Sequence, residues 1–332
     1  LAYLDPKDAF THLKDRVLEG ITAHFPIEGK LQSLHLDKLD VVDSLHPDDL
    51  RAQHNAKVNG ETWAVPVYAH LSLKDAAGKV IDQRRMRVAE IPKTTSRYSH
   101  IVGGQEYQVD NQWQLKPGVY VRRDDAGELT AKFNISSSTG GKGTRPFNLT
   151  LDPATKVFSM QYGPSRANIP LYPLLATMGV DDAALEKVWG KELLHANQGV
   201  AKAGNALDTF YRVSKKTAAP DKAAAAQHFY DTMKASVLRP DATEVTLGKA
   251  FSSVDGEALR RATERLLKVS AGAKEDDRDS LVFKDLRTTG DFAFDKLASH
   301  AMVRKIKLRT EKKINTATDV RDVVKFDFFN AP

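Results

Sequence analysis

The sequence predicts an α+β fold, and three observations carry that expectation. Apolar and polar residues alternate through much of the first 135 residues, as half-buried strands require. From about residue 170 to 270 the apolar spacing turns helical, with Ala-rich segments such as DKAAAAQHFYDTMKASVL. Between the two regions lies SSSTGGKGT, residues 136–144, a run of small residues with no apolar periodicity to anchor it to a core, which reads as a boundary.

Residues 5–24 are predicted as a helix, with Asp5 as N-cap, Pro6 at the first helical position, and Phe10, Leu13, Val17 and Ile21 along one apolar stripe. In WAVPVYAHLSL, residues 63–73, Trp63, Val65, Val67, Ala69, Leu71 and Leu73 face one way; Pro66, Tyr68, His70 and Ser72 face the other. Pro66 marks an edge or a bulge, since proline cannot donate to a ladder. DAAGK at 75–79 reads as a hairpin turn, and DDAGE at 124–128 as a second that leads into alternating Leu129, Ala131, Phe133 and Ile135. A third hairpin joins Phe147, Leu149 and Leu151 through DPAT to Phe158 and Met160. Leu259, Ala262 and Leu266 form a helical stripe, and a last helix is expected from Asp291 to about Lys313, burying Phe294, Leu297, Ala301 and Leu308. No internal repeat is visible.

At 332 residues the chain exceeds the size at which one core stops growing, so two or three structural units are expected. Its 41% apolar and 28% charged residues are the balance of a folded globular protein. No long apolar run suggests a membrane span, and the amino terminus lacks a signal-peptide pattern. The chain starts at Leu1, which fits a processed protein or a segment of a longer one. Absence of cysteine removes disulfides, thiolate nucleophiles and Cys-based zinc sites, and is compatible with a reducing compartment. A net charge of +6 leaves room for a polyanionic partner.

Candidate chemistry is sparse. TGGKGT at 139–144 invites a phosphate-loop reading, but such a loop needs four residues between its glycines and then Gly-Lys-Ser/Thr entering a helix; here Lys142 is followed by Gly143 and strand-like residues, so a flexible interdomain loop is expected. Asp276, Asp277 and Asp279 in KEDDRDS could hold Mg²⁺, yet Lys274 and Arg278 stand among them, and a solvated loop with local ion pairs fits better. None of the ten histidines falls at a recognisable metal or catalytic spacing. No catalytic residue is assigned. RKIKLRTEKK, residues 304–313, carries Arg304, Lys305, Lys307, Arg309, Lys312 and Lys313 against Glu311, and helical spacing spreads the cations over a broad face. That face is either simply solvated or a contact for a phosphate backbone.

Several short stretches, taken in order, resemble one family. FPIE (25–28), TWAVPVYAHLSL (62–73), AEIP (89–92), HIVGGQEYQV (100–109) and LKPGVYV (115–121) look like the amino-terminal part of the β subunit of multisubunit DNA-directed RNA polymerases. Downstream, NLTLDPATKVFSMQ, IPLYPLLATMGVDDAALEKVWG (169–190), DDRDSLVFKDLRTTGD (276–291) and DVVKFDFFNAP continue the series, with a patchy stretch from about 191 to 250. Where the family has His, Asn and a second Arg, this chain has Ser280, Phe283 and Asp285, while Lys284 and Arg287 keep basic positions. DNQWQLKPGV likewise lacks the usual Ser-Gln-Leu-x-Arg-Ser. Such divergence is most similar to the β-like subunits of large bacteriophages, where β is commonly split into separate chains.

The resemblance implies a β-rich protrusion built from residues 1–135 and 284–332, with a more helical lobe, 136–283, inserted between them. It implies a wall of the DNA channel rather than a catalytic centre: no cofactor bound by this chain, Mg²⁺ held in the assembled enzyme by a β′-like subunit, and C-terminal β-like and β′-like chains, DNA template and RNA product as partners. Location would be the infected host cytoplasm or the virion. In this context Lys284, Arg287, Arg304, Lys305, Lys307, Arg309, Lys312 and Lys313 are the expected nucleic-acid-facing residues. The competing readings are a non-catalytic structural or virion protein that keeps a polymerase-like fold and, last, a metal-dependent nuclease using Asp276, Asp277 and Asp279.

Overall fold

The computed structural model describes residues 5–123, 127–137, 144–165, 167–201, 205–325 and 328–329. Helices and strands are both abundant, in keeping with the α+β expectation. The chain divides into two units, Leu1–Gln112 with Leu286–Pro332, and Trp113–Asp285.

The first unit opens with α1 (Pro6–Thr22), which Asp5 caps by accepting from Lys7 N at 2.8 Å. Then come β1 (Ile27–Glu28), β2 (Gln32–Val41), α2 (Leu50–Val58), β3 (Ala64–Asp75), β4 (Val80–Pro92), β5 (His100–Val102) and β6 (Gln105–Tyr107). The first four strands make an antiparallel sheet in the order β1-β2-β3-β4. Its inner face carries Leu34, Val65, Val67, Ala69, Leu71, Leu73, Val88 and Ile91, and these share a core with Phe10, Leu13, Val17 and Ile21 of α1. The alternation expected for residues 63–73 holds through β3 except at Ser72, which is buried although on the outward set, and Trp63 precedes the strand and packs with Ala56 and Ile101. Pro66 lies in an interior strand, yet the β2 register ends at Val41↔Val67 and the β4 register shifts between Val67 and Tyr68, so the proline stands beside a bulge. At the β3–β4 turn, Gly78 N donates to Asp75 O at 3.0 Å with Gly78 at φ 82°.

A polar cluster braces α2 against the short β5–β6 ribbon. The Glu106 carboxylate accepts from Lys57, from the Ser99 hydroxyl and from Arg97 Nη2 at 2.7 Å. The Lys57 bond, seconded by Ser99, holds its carboxyl down at about 2 against an ordinary 4.5. Because the folded value is depressed, the stabilisation is complete above pH 4.5 and is lost as pH falls toward 2. With the Glu106 side chain 26% exposed, Glu106→Gln should cost about 1 kcal/mol in denaturant unfolding at pH 6, and the difference from wild type should close by about pH 2.

The second unit begins with β7 (Gln112–Leu115), whose first residue belongs to the first unit, and continues through β8 (Gly118–Arg123), β9 (Leu129–Asn134), β10 (Ser136–Ser137), β11 (Phe147–Leu151), β12 (Phe158–Tyr162) and β13 (Ile169–Pro170). Helices follow: α3 (Leu171–Thr177), α4 (Asp182–Ala201), α5 (Ala206–Lys215), α6 (Lys222–Lys234), then β14 (Ser236–Val237), α7 (Pro240–Leu247) and α8 (Gly256–Ser270). α4 is interrupted at Gly190, whose φ of 75° lies in the left-handed region. The five-stranded antiparallel sheet has the order β13-β12-β11-β9-β8, and one of its faces packs into a core with α3 to α8. Trp189 Nε1 donates to Thr263 Oγ1 at 2.8 Å and ties α4 to α8. Phe210 sits between Tyr162 and Phe229, at ring distances of 4.7 and 4.9 Å.

Since β9 pairs with β11, this sheet takes strands from both sides of the small-residue stretch, and β8 and β9 belong to the second unit. The TGGKGT segment lies outside the described residues except for Thr144, as do positions 124–126 of the DDAGE turn. After β15 (Lys284–Arg287), which spans the division, the chain re-enters the first unit with α9 (Thr289–Ala298), α10 (His300–Thr310) and α11 (Val320–Val323). Two glycines let α9 lie close on α1: a Cβ on Gly20 would fall 2.9 Å from Leu297 Cβ, and one on Gly290 would fall 2.8 Å from His12 Cδ2.

Candidate nucleic-acid interface

The long carboxy-terminal helix expected from Asp291 to Lys313 is two helices. Ser299 adopts φ −61°, ψ 147°, which ends α9, and its hydroxyl oxygen then caps α10 by accepting from Met302 N at 3.3 Å. The break resets which residues point inward. Met302 and Ile306 enter the core, with Thr310 buried beside them, an i, i+4, i+8 stripe. Leu308, expected on the buried side, is 64% exposed, and Ala301 is exposed as well.

The outward side of α10 and its following turn holds Arg304, Lys307, Arg309, Lys312 and Lys313 exposed and Lys305 half-buried. Among the described residues none of these six pairs with a carboxylate. Ala301, Arg304, Lys305, Leu308 and Arg309 line a shallow open depression on this surface. Lys307 and Arg309 also stand in the last turn, where cations complement the helix dipole. The base of the region is clamped by Asn315, whose Oδ1 accepts from Lys30 N and Leu31 N at 2.6 and 2.8 Å.

Lys284 and Arg287 differ from these six. Lys284 belongs to the second unit and lies 3.7 Å from the Asp279 carboxylate, with its side chain 19% exposed. Arg287 pairs with Asp295, stacks 4.7 Å over the Phe292 ring, and reaches Asp291 O at 3.4 Å. Arg287 thus fastens α9, and both cations have internal partners.

The acidic loop serves the fold. Asp276, with a side chain 7% exposed, accepts from Arg265 Nη2 and Val121 N, each at 2.8 Å, and Asp276 N donates to Val121 O at 2.9 Å. The loop thereby covers β8, an outer strand of the five-stranded sheet. Asp277 accepts from Asp279 N at 3.0 Å. Among the described residues no three His, Cys, Asp or Glu side chains gather to hold a metal, and no helix is long and apolar enough to cross a membrane.

Sequence reasoning placed all six cations on a helix, whereas Arg304, Lys305, Lys307 and Arg309 lie on α10 and Lys312 and Lys313 on the turn after it; it also missed the outward Leu308 and the inward Asp276. For Leu308 a signal was present, because Met302, Ile306 and Ile314 form a competing apolar stripe and Ser299 has the side chain of an N-cap. Nothing local distinguishes Asp276 from its acidic neighbours, since its partners Val121 and Arg265 are remote in sequence.

No family model matches the chain. It is 28% identical, over 138 residues, to a protein described as DNA-directed RNA polymerase subunit beta, from Petrotoga mobilis. The matched stretch is 39% of this chain and 12% of that subunit's length. Over that part the chain is similar, as a distant relative, to an RNA polymerase β subunit.

Proposed function

We propose that the chain is an amino-terminal, β-like portion of a multisubunit DNA-dependent RNA polymerase, and that the cationic side of α10 lies against nucleic-acid backbone along a channel wall. The observation that carries this is the set of six cations without described carboxylate partners on one helix and its turn, in a chain distantly related to a polymerase β subunit. Charge of this kind suits an enzyme that moves over any sequence, because phosphate contacts position without reading bases. The first unit would be the protrusion and the second the lobe. Ser280, Phe283 and Asp285, which depart from the family pattern, support a divergent subunit of the bacteriophage type, active in the infected cytoplasm or carried in the virion. C-terminal β-like and β′-like chains would complete the enzyme, with Mg²⁺ on the β′-like chain.

Replacing Arg304, Lys307, Arg309 and Lys312 with glutamine should lower the log-log salt slope of duplex binding by about 3 to 4, near 0.9 per phosphate neutralised. An unchanged slope removes the assignment. Template-directed nucleotide incorporation by the co-purifying assembly, together with mass spectrometry of its chains, tests the wider reading: a chain that purifies alone and inert contradicts it.

A further inference from the structure

Leu308 is the feature of α10 that a backbone contact leaves unused. It projects at 64% exposure from the side opposite Met302 and Ile306, so it contributes nothing to the core. With Ala301 it forms the apolar part of the depression whose other walls are Arg304, Lys305 and Arg309. Helical geometry places Arg304 and Leu308 one turn apart on the same stripe, and Lys305 and Arg309 one turn apart beside it, about 6 Å along the axis in each case. A single exposed leucine is ordinary by itself. An apolar surface ringed by three cations without described carboxylate partners is selective, because its ligand must bring apolar surface within a few bonds of two or more anions.

We propose that this depression binds an unpaired nucleotide strand, with phosphates on Arg304, Lys305 and Arg309 and a base or sugar face packed on Leu308 and Ala301. The inference rests on the nucleic-acid reading above and narrows it. The outside of a duplex offers a convex helix charge and hydrated sugar, so Leu308 would add little there. An unpaired strand exposes base faces alongside its phosphates, and such faces bind apolar and aromatic side chains without regard to sequence. Charge complementarity favours a polyanion, and cations set beside the apolar surface of Ala301 and Leu308 suit a strand whose bases stand beside its phosphates.

The test uses the full chain and fluorescence anisotropy with a labelled oligo(dT) strand, a duplex of equal length, and inorganic polyphosphate as a competitor that has backbone charge alone. Leu308→Ala should weaken oligo(dT) binding about fivefold to tenfold, the loss that follows from removing partly buried methyl groups. It should leave the salt slope and polyphosphate competition unchanged, and Leu308→Met should restore binding. Exposure of Leu308 keeps these variants folded. If Leu308→Ala binds oligo(dT) like wild type while glutamine at Arg304, Lys305 and Arg309 abolishes binding, the strand inference falls and the backbone reading stands. If the glutamine variant also binds like wild type, both fall. Leu308-dependent binding to phosphatidylserine vesicles that exceeds binding to oligo(dT) overturns the strand in favour of a lipid surface.

Discussion

Asp276→Ala is expected to destabilise the chain by about 3 to 5 kcal/mol, the range for removing one partner of a buried charge pair. The substitution strips Val121 N and the Arg265 guanidinium of their shared acceptor at once and uncovers the outer strand of the five-stranded sheet. Asp276→Asn, which keeps one acceptor oxygen, should lose less. Asp277→Ala, an exposed position, should stay within about 0.5 kcal/mol. Urea unfolding of the three variants, with and without millimolar Mg²⁺, separates this role from ion binding: a metal role predicts similar losses at Asp276 and Asp277 and a magnesium-dependent shift. Equal stability of Asp276→Ala and wild type would sink the structural account.

The second large effect is in the aromatic core. Phe210 is fully buried, 4.7 Å from the Tyr162 ring and edge-on to Phe229 at 4.9 Å. Phe210→Ala should cost about 3 to 5 kcal/mol, combining lost transfer energy with the cavity left among rings that cannot collapse into it. Amide exchange should accelerate first within Trp113–Asp285, whose core contains no residue of the first unit. Phe210→Leu, which fills most of the space, should recover the greater part. A uniform change in exchange along the whole chain would contradict the assignment of separate cores.

Much of the local structure was legible because it rests on local signals. α1 follows from Asp5, Pro6 and apolar residues three and four apart, and β3 from the alternation through residues 65–71. The 75–79 and 152–155 turns follow from their Asp, Pro and Gly content. What escaped depends on distant partners. The apolar pattern after Asp291 fits two helical phases, and Ser299 with the packing of α9 on α1 selects between them. Strands β8 and β9 look like a continuation of the preceding β-rich region, whereas their pairing with β11 joins them to the second unit. In the candidate interface, the cationic character of residues 304–313 was readable, but its distinction from Lys284 and Arg287 was not, because Asp279, Asp295 and Phe292 acquire their importance in three dimensions.

The backbone turn at Ser299 works as an indexing joint. With the joint in place, one residue inserted between Ser299 and α10 would rotate the set of groups offered to solvent by about 100° while leaving the Gly20–Leu297 contact where it is. The same rotation would carry Met302, Ile306 and Thr310 out of the core, so the joint and that buried stripe together fix the azimuth of the ligand-facing side.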